Sequence, residues 1–275
     1  NAEQGNIAPR ETVPQLSFRG KVWRTVIDGD EQPLMNKDDE PVSSVNVVVL
    51  NYNKARSRGY YEGAFEEGKS QPPACWSTDG IKPDAQVKEP QSETCAKCPK
   101  SVKGSKITDN GKETTACSVF KRLAVVPATD LTFEALLLRL AQTSMWDGKN
   151  DENEAKGFYA WDQYVEFLRK HGCNHTALVV TKVKFDARTA YPKLLFGATR
   201  YLDKDEWAAV KVRADEEATM SLLEAPETAA AARTPAAKPE ADDDTPKLPA
   251  PKAAAPAPVE ADDDDETPPP KKAKK

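Results

Sequence analysis

The chain has 275 residues, with 39 Lys and Arg against 44 Asp and Glu, five Cys and two His. No run of about 18 apolar residues occurs, so no membrane-spanning helix is expected, and the opening residues carry no signal-peptide pattern. Five Cys in so long a chain are too few for a disulfide scaffold, and two His leave little for acid–base catalysis, so the expectation is a soluble, non-enzymatic protein of a reducing cytoplasm.

Residues 1–16 are polar with little period and read as a flexible arm. A strand is predicted over 17–27, with Phe18, Val22 and Val26 on one parity and Arg19, Lys21 and Trp23 on the other. Residues 28–41 are polar and turn-rich, and Asp28 and Asp30 read as turn chemistry. Ser44–Tyr52 is nearly all Val and Leu, the pattern of a strand buried on both faces. From 53 to 116 apolar periodicity almost vanishes, and a loop of that length is uncommon in a compact domain unless something else holds it.

Regular structure resumes at 118–126 and 134–142, both read as strands, although the second (Ala135, Leu136, Leu137, Leu138, Leu140) also fits a short helix. Residues 157–170 form an amphipathic helix with Phe158, Trp161, Val165 and Leu168 on one face and Gly172 as its stop. Strands follow at 177–185 and 193–202. Asp203 then caps a last helix, with Glu206 completing a capping box, and this helix fades near Leu223. Half of the 22 prolines lie in the final 51 residues, beside 15 Ala and 11 acidic residues, with Leu248 and Val259 the only large aliphatics. Such a segment cannot bury enough apolar surface to offset its ordering entropy, so 224–275 is expected to be a disordered acidic tail. The remainder, 17–223, reads as mainly β with helices (α+β), a small β-barrel or mixed antiparallel sheet.

Cys75, Cys95, Cys98 and Cys117 follow the spacing C-x19-C-x2-C-x18-C. The central C-x-x-C suits a turn that aims two thiolates at one tetrahedral ion, and the outer pair completes a four-cysteine site. A structural Zn2+ would order the polar excursion at 75–117, since apparent zinc-binding free energies reach about 10–16 kcal/mol. A redox pair normally opens a helix, whereas Pro99, Lys100 and Gly104 surround this one with turn signals. An iron–sulfur cluster and buried free thiols remain as alternatives. Cys173 between His171 and His175 reads as an ordinary helix-to-strand turn. The stretch 63–70 formally matches a phosphate-binding loop, but Pro72 and Pro73 prevent the helix it needs and Glu66 and Glu67 would repel phosphate.

Basic residues gather beside aromatic rings. Lys97, Lys100, Lys103, Lys106, Lys112, Lys121 and Arg122 face only Asp109 and Glu113 in their stretch, and Lys54, Arg56, Arg58, Tyr60 and Tyr61 form a second patch. Lys182 and Lys184 share a strand face. Cations along a backbone with flat rings between them are what sequence-tolerant binders of single strands use. The folded part is nonetheless slightly acidic overall, and an ordinary solvated surface is the competing reading.

With these residues assembled, the chain resembles phage-encoded single-stranded DNA-binding proteins. The resemblance rests on Pro73 through Gly80, including Cys75 and Trp76, on Cys95-Ala96-Lys97-Cys98-Pro99, on Gly104-Ser105, on Ala116-Cys117 leading into Lys121 through Val125, and on Ala190-Tyr191-Pro192-Lys193-Leu194. The architecture also looks like that of the T4-type phage single-stranded DNA-binding proteins. It implies an OB-like β-barrel core, an inserted zinc subdomain, and an acidic C-terminal tail that meets replication or recombination partners in the cytoplasm of a bacterial host. The T4-type zinc site uses one His and three Cys, whereas four Cys stand here, and this tail ends in Lys271, Lys272, Lys274 and Lys275 rather than an apolar tip. The resemblance makes 134–142 a strand and the helix at 157–170 the one between barrel strands. The path of the nucleic acid is then expected over Arg19, Lys21, Trp23, Lys54, Arg56, Arg58, Tyr60, Tyr61, Lys121 and Arg122. The rival expectation is a zinc-stabilised interaction protein, a virion component or host modulator, with no nucleic-acid activity.

Overall fold

The computed structural model describes residues 13–63, 73–108, 111–146 and 151–224, so the first twelve residues of the expected arm and the tail beyond Glu224 lie outside the described residues. The strands, in chain order, are β1 (Gln15–Ser17), β2 (Arg24–Ile27), β3 (Asp30–Pro33), β4 (Ser44–Tyr52), β5 (Ser57–Tyr60), β6 (Cys75–Ser77), β7 (Lys106–Ile107), β8 (Glu113–Thr114), β9 (Cys117–Pro127), β10 (Leu136–Ala141), β11 (Val179–Phe185) and β12 (Leu194–Tyr201). The helices are α1 (Gln142–Met145), α2 (Asp151–Ala155), α3 (Trp161–Lys170), α4 (Lys204–Ala214) and α5 (Glu217–Glu224).

One curled sheet dominates, a half-barrel in the order β12-β11-β4-β9-β10-β1-β2-β3, and β7 and β8 form a separate small hairpin. β5 continues the edge that β4 leaves. The C-terminal half of β9 pairs with β4 (Val125↔Val49) and its N-terminal half with β5 (Phe120↔Ser57). All of these pairings are antiparallel except the short contact of β1 with β10. Irregularities at Val49/Asn51 in β4 and Val180/Thr181 in β11 bend their strands and help the sheet to curl.

Alternation along β4 and β9 divides the core. Val47, Val49, Leu123 and Val125 point into the curl, where Trp161, Tyr164 and Leu168 of α3 fill it. Val48, Leu50 and Val126 point outward under Val210 of α4, and Ala124 packs under Leu222 and Leu223 of α5. The sequence reading of β4 as buried on both faces therefore matches the structure. So do the capping box at Asp203 and Glu206 and the ending of α3, where the backbone N–H of Cys173 reaches Leu168 O at 2.9 Å.

The strand expected over 17–27 is corrected. Gly20 and Lys21 take positive φ values of 60° and 57°, so the chain makes a tight 3-10 turn at Arg19–Lys21 and the side-chain parity resets. Trp23, expected on the surface, is instead fully buried, and its ring stacks on Phe185 with centroids 5.0 Å apart. Phe18 joins them at 5.7 Å from Trp23. Since Phe185 belongs to β11, these rings join β11 to the β1–β2 link across the curl. Among the described residues no ladder joins β12 to β1, β2 or β3. The expected turn at Asp28 is the two-residue link of the β2–β3 hairpin, with Ile27 paired to Asp30.

Candidate nucleic-acid interface and cysteine centre

The excursion between β4 and β9 is built on backbone pairing rather than on an apolar core. β5 lies between β6 and β9, with Tyr60 directly opposite Cys75 on one side and Cys117 on the other. Residues directly opposite in antiparallel strands point to the same face. Two cysteines that lie far apart in the sequence are thereby placed on either side of one tyrosine. Cys95 and Cys98 come from two successive 3-10 turns, Cys95–Lys97 and Pro99–Ser101, and the first is anchored by the Cys95 N–H donating to Ile81 O at 2.8 Å.

All four cysteines line one small cavity of about 20 Å3, together with Arg58, Tyr60, Trp76 and Ser101. None is in a disulfide. Burial pushes the Cys117 thiol up to about 11, against the pull of the Arg58 guanidinium. Burial also raises Cys95, opposed by a hydrogen bond with Ser77 and by Arg58. Four sulfur donors around one cavity are a soft set of the kind zinc takes. Among the described residues no three His, Cys, Asp or Glu side chains are grouped as a bound metal ion would need. The turn at Asp79-Gly80 presses this lobe onto the β4–β5 link. At Gly80, where φ is +71°, an added Cβ would stand 2.1 Å from Arg56 O.

The ten residues expected along the nucleic-acid path separate into two groups. Lys54 and Arg56 are exposed, and Arg58, Tyr60 and Tyr61 are half-buried, all on the β4–β5 link, on β5 or just after it. The Arg56 guanidinium lies 4.6 Å from the centre of the Trp146 ring and 3.0 Å from the Asp162 carboxylate. Lys100 sits over Tyr60 at 4.8 Å, and Arg58 donates to Ser101 Oγ at 3.0 Å. Cation and ring thus alternate along the rim of the cysteine lobe.

The second group is elsewhere or inside. Trp23 cannot stack on a base from the core. Lys121 is buried, donates to Asn53 O and Lys54 O at 3.0 and 3.2 Å, and so braces the β4–β5 link from beneath. Its pKa is lowered by burial, which the Asp162 carboxylate opposes. Arg122 is buried on the outer face of β9, opposite Arg139 of β10 and near the Phe120 ring, and donates to Leu223 O of α5 at 3.4 Å. The long strand β9 sets both fates, since Leu123 and Val125 on its odd parity enter the curl while Ala124 and Val126 on its even parity meet the outer helices α5 and α4. Arg19 pairs with Glu31 at 3.2 Å and Lys21 donates to Thr189 O, which places both at the ring-closed seam rather than beside β5.

Sequence reasoning missed Trp146 and Asp162. Trp146 is 39% exposed directly after α1, an unusual position for so large a ring, but no periodicity marks it. His171, Cys173 and His175 form the expected helix-to-strand turn, with separate partners: His171 Nδ1 meets Phe167 O, Cys173 Sγ meets Tyr201 OH, and His175 caps the next turn. The 63–70 match to a phosphate-binding loop falls mostly outside the described residues. Family models, curated proteins and solved structures offer no match to this chain. No helix among the described residues is long and apolar enough to cross a membrane.

Proposed function

We propose that this protein binds single-stranded DNA without strong sequence preference, in phage replication or recombination, through an OB-like half-barrel. The observation that carries the reading is the run of cation–ring neighbours on one rim, Arg56 with Trp146 and Lys100 with Tyr60, flanked by exposed Lys54. Such a rim offers charge to phosphates and flat faces to bases, at roughly 1–3 kcal/mol per stacked base. Strand order supports it. The five long strands run β12-β11-β4-β9-β10, that is fifth, fourth, first, second and third, with α3 between the third and the fourth. In an OB barrel the loops after the first and fourth strands flank the ligand. Here the first of these is the cysteine lobe, and the second, 186–193, carries the exposed Tyr191. Fold analogy alone does not assign an activity, and the chemistry of the rim is what supports this one.

In this reading Cys75, Cys95, Cys98 and Cys117 hold a structural Zn2+, which would stiffen the lobe and so fix the rim. The acidic segment 225–275 modulates access or recruits partners. The test is fluorescence anisotropy of labelled oligo-dT and of a matched duplex at two salt concentrations. The expected result is tight binding to the single strand only, with affinity falling as salt rises because phosphate contacts release counterions. Absence of binding at low salt, by zinc-loaded protein with and without 225–275, overturns it. One observation favours an interaction protein instead: Ile81, Val102 and Ile107 stand 66%, 58% and 67% exposed on the lobe, apolar surface that a protein partner would cover.

A further inference from the structure

A second cationic surface lies on the outer face of the half-barrel, on strands that the rim does not use. Lys182 and Lys184 alternate outward along β11, opposite Gly197 and Leu195 of β12 and Asn46 and Ser44 of β4. The segment preceding α3 crosses this face. Tyr159 bridges to Phe196 of β12, which lays Phe158 against Gly197. The seat admits no side chain, since a Cβ on Gly197 would come within 2.8 Å of Gly157 O and 3.0 Å of the Phe158 ring. Above that ring sits the Lys184 ammonium, 3.6 Å from its centre. Lys156 arrives from the end of α2.

The three lysines crowd one another. Burial lowers the Lys184 pKa first, and the neighbouring Lys156 and Lys182 charges lower it further, against a weaker opposing effect of Asp186. Among the described residues, the one ion pair of these three is Lys156 with Glu152 at 3.1 Å, an exposed i,i+4 pair worth little in water. Glu152 is taken up by Lys156 and Asp186 by Arg188 and Lys193, so an arriving anion relieves the like charges left on Lys182 and Lys184, and the ring offers it a flat apolar neighbour.

We infer that Lys156, Lys182 and Lys184, gathered around Phe158, form a second contact surface for the phosphates of single-stranded nucleic acid. This inference rests on the single-strand reading above. It assigns long strands a path from the Arg56 rim across the start of α3, because Asp162, the partner of Arg56, is only six residues beyond Lys156, at most about 22 Å along the chain. Short strands fill the rim alone, and longer ones reach the lysines.

The test compares oligo-dT of about 8 and about 30 nucleotides, lengths that bracket the site of one OB fold. The proteins are the full chain, its Lys156→Gln/Lys182→Gln/Lys184→Gln variant and the corresponding triple Lys→Arg variant. The triple Gln variant is expected to bind the short strand as before and the long strand about tenfold more weakly at low salt, with a salt slope reduced by about 2, for three phosphate contacts. The Arg variant should keep the full slope. A Lys182→Gln variant, which leaves the Phe158 contact intact, should show about a third of that slope change and guards against damage to the fold. Equal losses on both lengths, or an unchanged long-strand affinity, overturn the second surface while leaving the rim standing. Failure of the unmodified protein to bind either length overturns both.

Discussion

Trp23 shows how far a turn of two left-handed residues, Gly20 and Lys21, can move a side chain. Read as an extended strand, it shares a face with Arg19 and Lys21 and looks like a base-stacking ring. In the structure the turn at Gly20 and Lys21 rotates it into the core against Phe18 and Phe185. Trp23→Ala is therefore expected to act on stability, by about 3–5 kcal/mol for a large aromatic lost from a packed core. Urea denaturation would register the loss, while the affinity of the protein that remains folded for a single strand stays unchanged. Arg56→Ala should do the reverse, leaving the denaturation midpoint nearly fixed and lowering the salt slope of binding by about 1. Charge and ring chemistry were visible in the residue types. Which side of the chain carried them was not, because nothing in the composition of 17–23 announces a positive φ at lysine.

At the scale of elements, what the sequence revealed followed burial. β4, β9, β11 and β12 carry enough apolar residues to be found from the chain alone, β10 fitted a strand or a short helix until the resemblance favoured the strand, and the spacing found α3 but began it at 157, four residues before Trp161. β5 and β6 were invisible because Ser57-Arg58-Gly59-Tyr60 and Cys75-Trp76-Ser77 have no apolar alternation and owe their form to backbone pairing, β5 on β9 and β6 on β5. The cysteine spacing supplied the only signal that something ordered the region. With zinc at the four cysteines as proposed, Cys98→Ser is expected to release it, measured as loss of about one bound equivalent by metal analysis, and to open 75–117 to proteolysis. The half-barrel should persist, since its inner core draws on none of these four residues. A four-cysteine variant that keeps both its metal content and its protease resistance would remove zinc from the account.

At the scale of the whole molecule, a buried carboxylate ties the loop between β11 and β12 to the rest of the half-barrel. Asp186 is 1% exposed and accepts from Arg188, with Lys193 at 3.4 Å and Asn153 alongside. The Arg188 hydrogen bonds hold its carboxyl well below the usual carboxylate range, against the opposing effect of burial. A folded pKa below the unfolded one, near 4, means that the stabilisation is complete above that value and is lost as pH falls beneath it. Glu206, held down to about 2 by Arg200 and by the Asp203 backbone, behaves in the same sense. Thermal midpoints should therefore drop between about pH 4 and pH 2, and Asp186→Asn should flatten that drop. At neutral pH the same variant is expected to lose about 3 kcal/mol, because two cations lose their shared anion. An undiminished acid transition in the variant would place the sensitive group elsewhere.

Most sheets that curl this far are held by hydrogen bonds all the way round, and their radius is then a matter of strand count and stagger. In this one Phe18, Trp23 and Phe185 pack across the curl between β11 and the β1–β2 link, beside the side chains of α3, so the volume of those rings contributes to the radius. The circumference of the half-barrel is in that sense adjustable. Exchanging one ring for a smaller or larger one would draw β11 and the β1–β2 link together or push them apart without shifting the register of any strand.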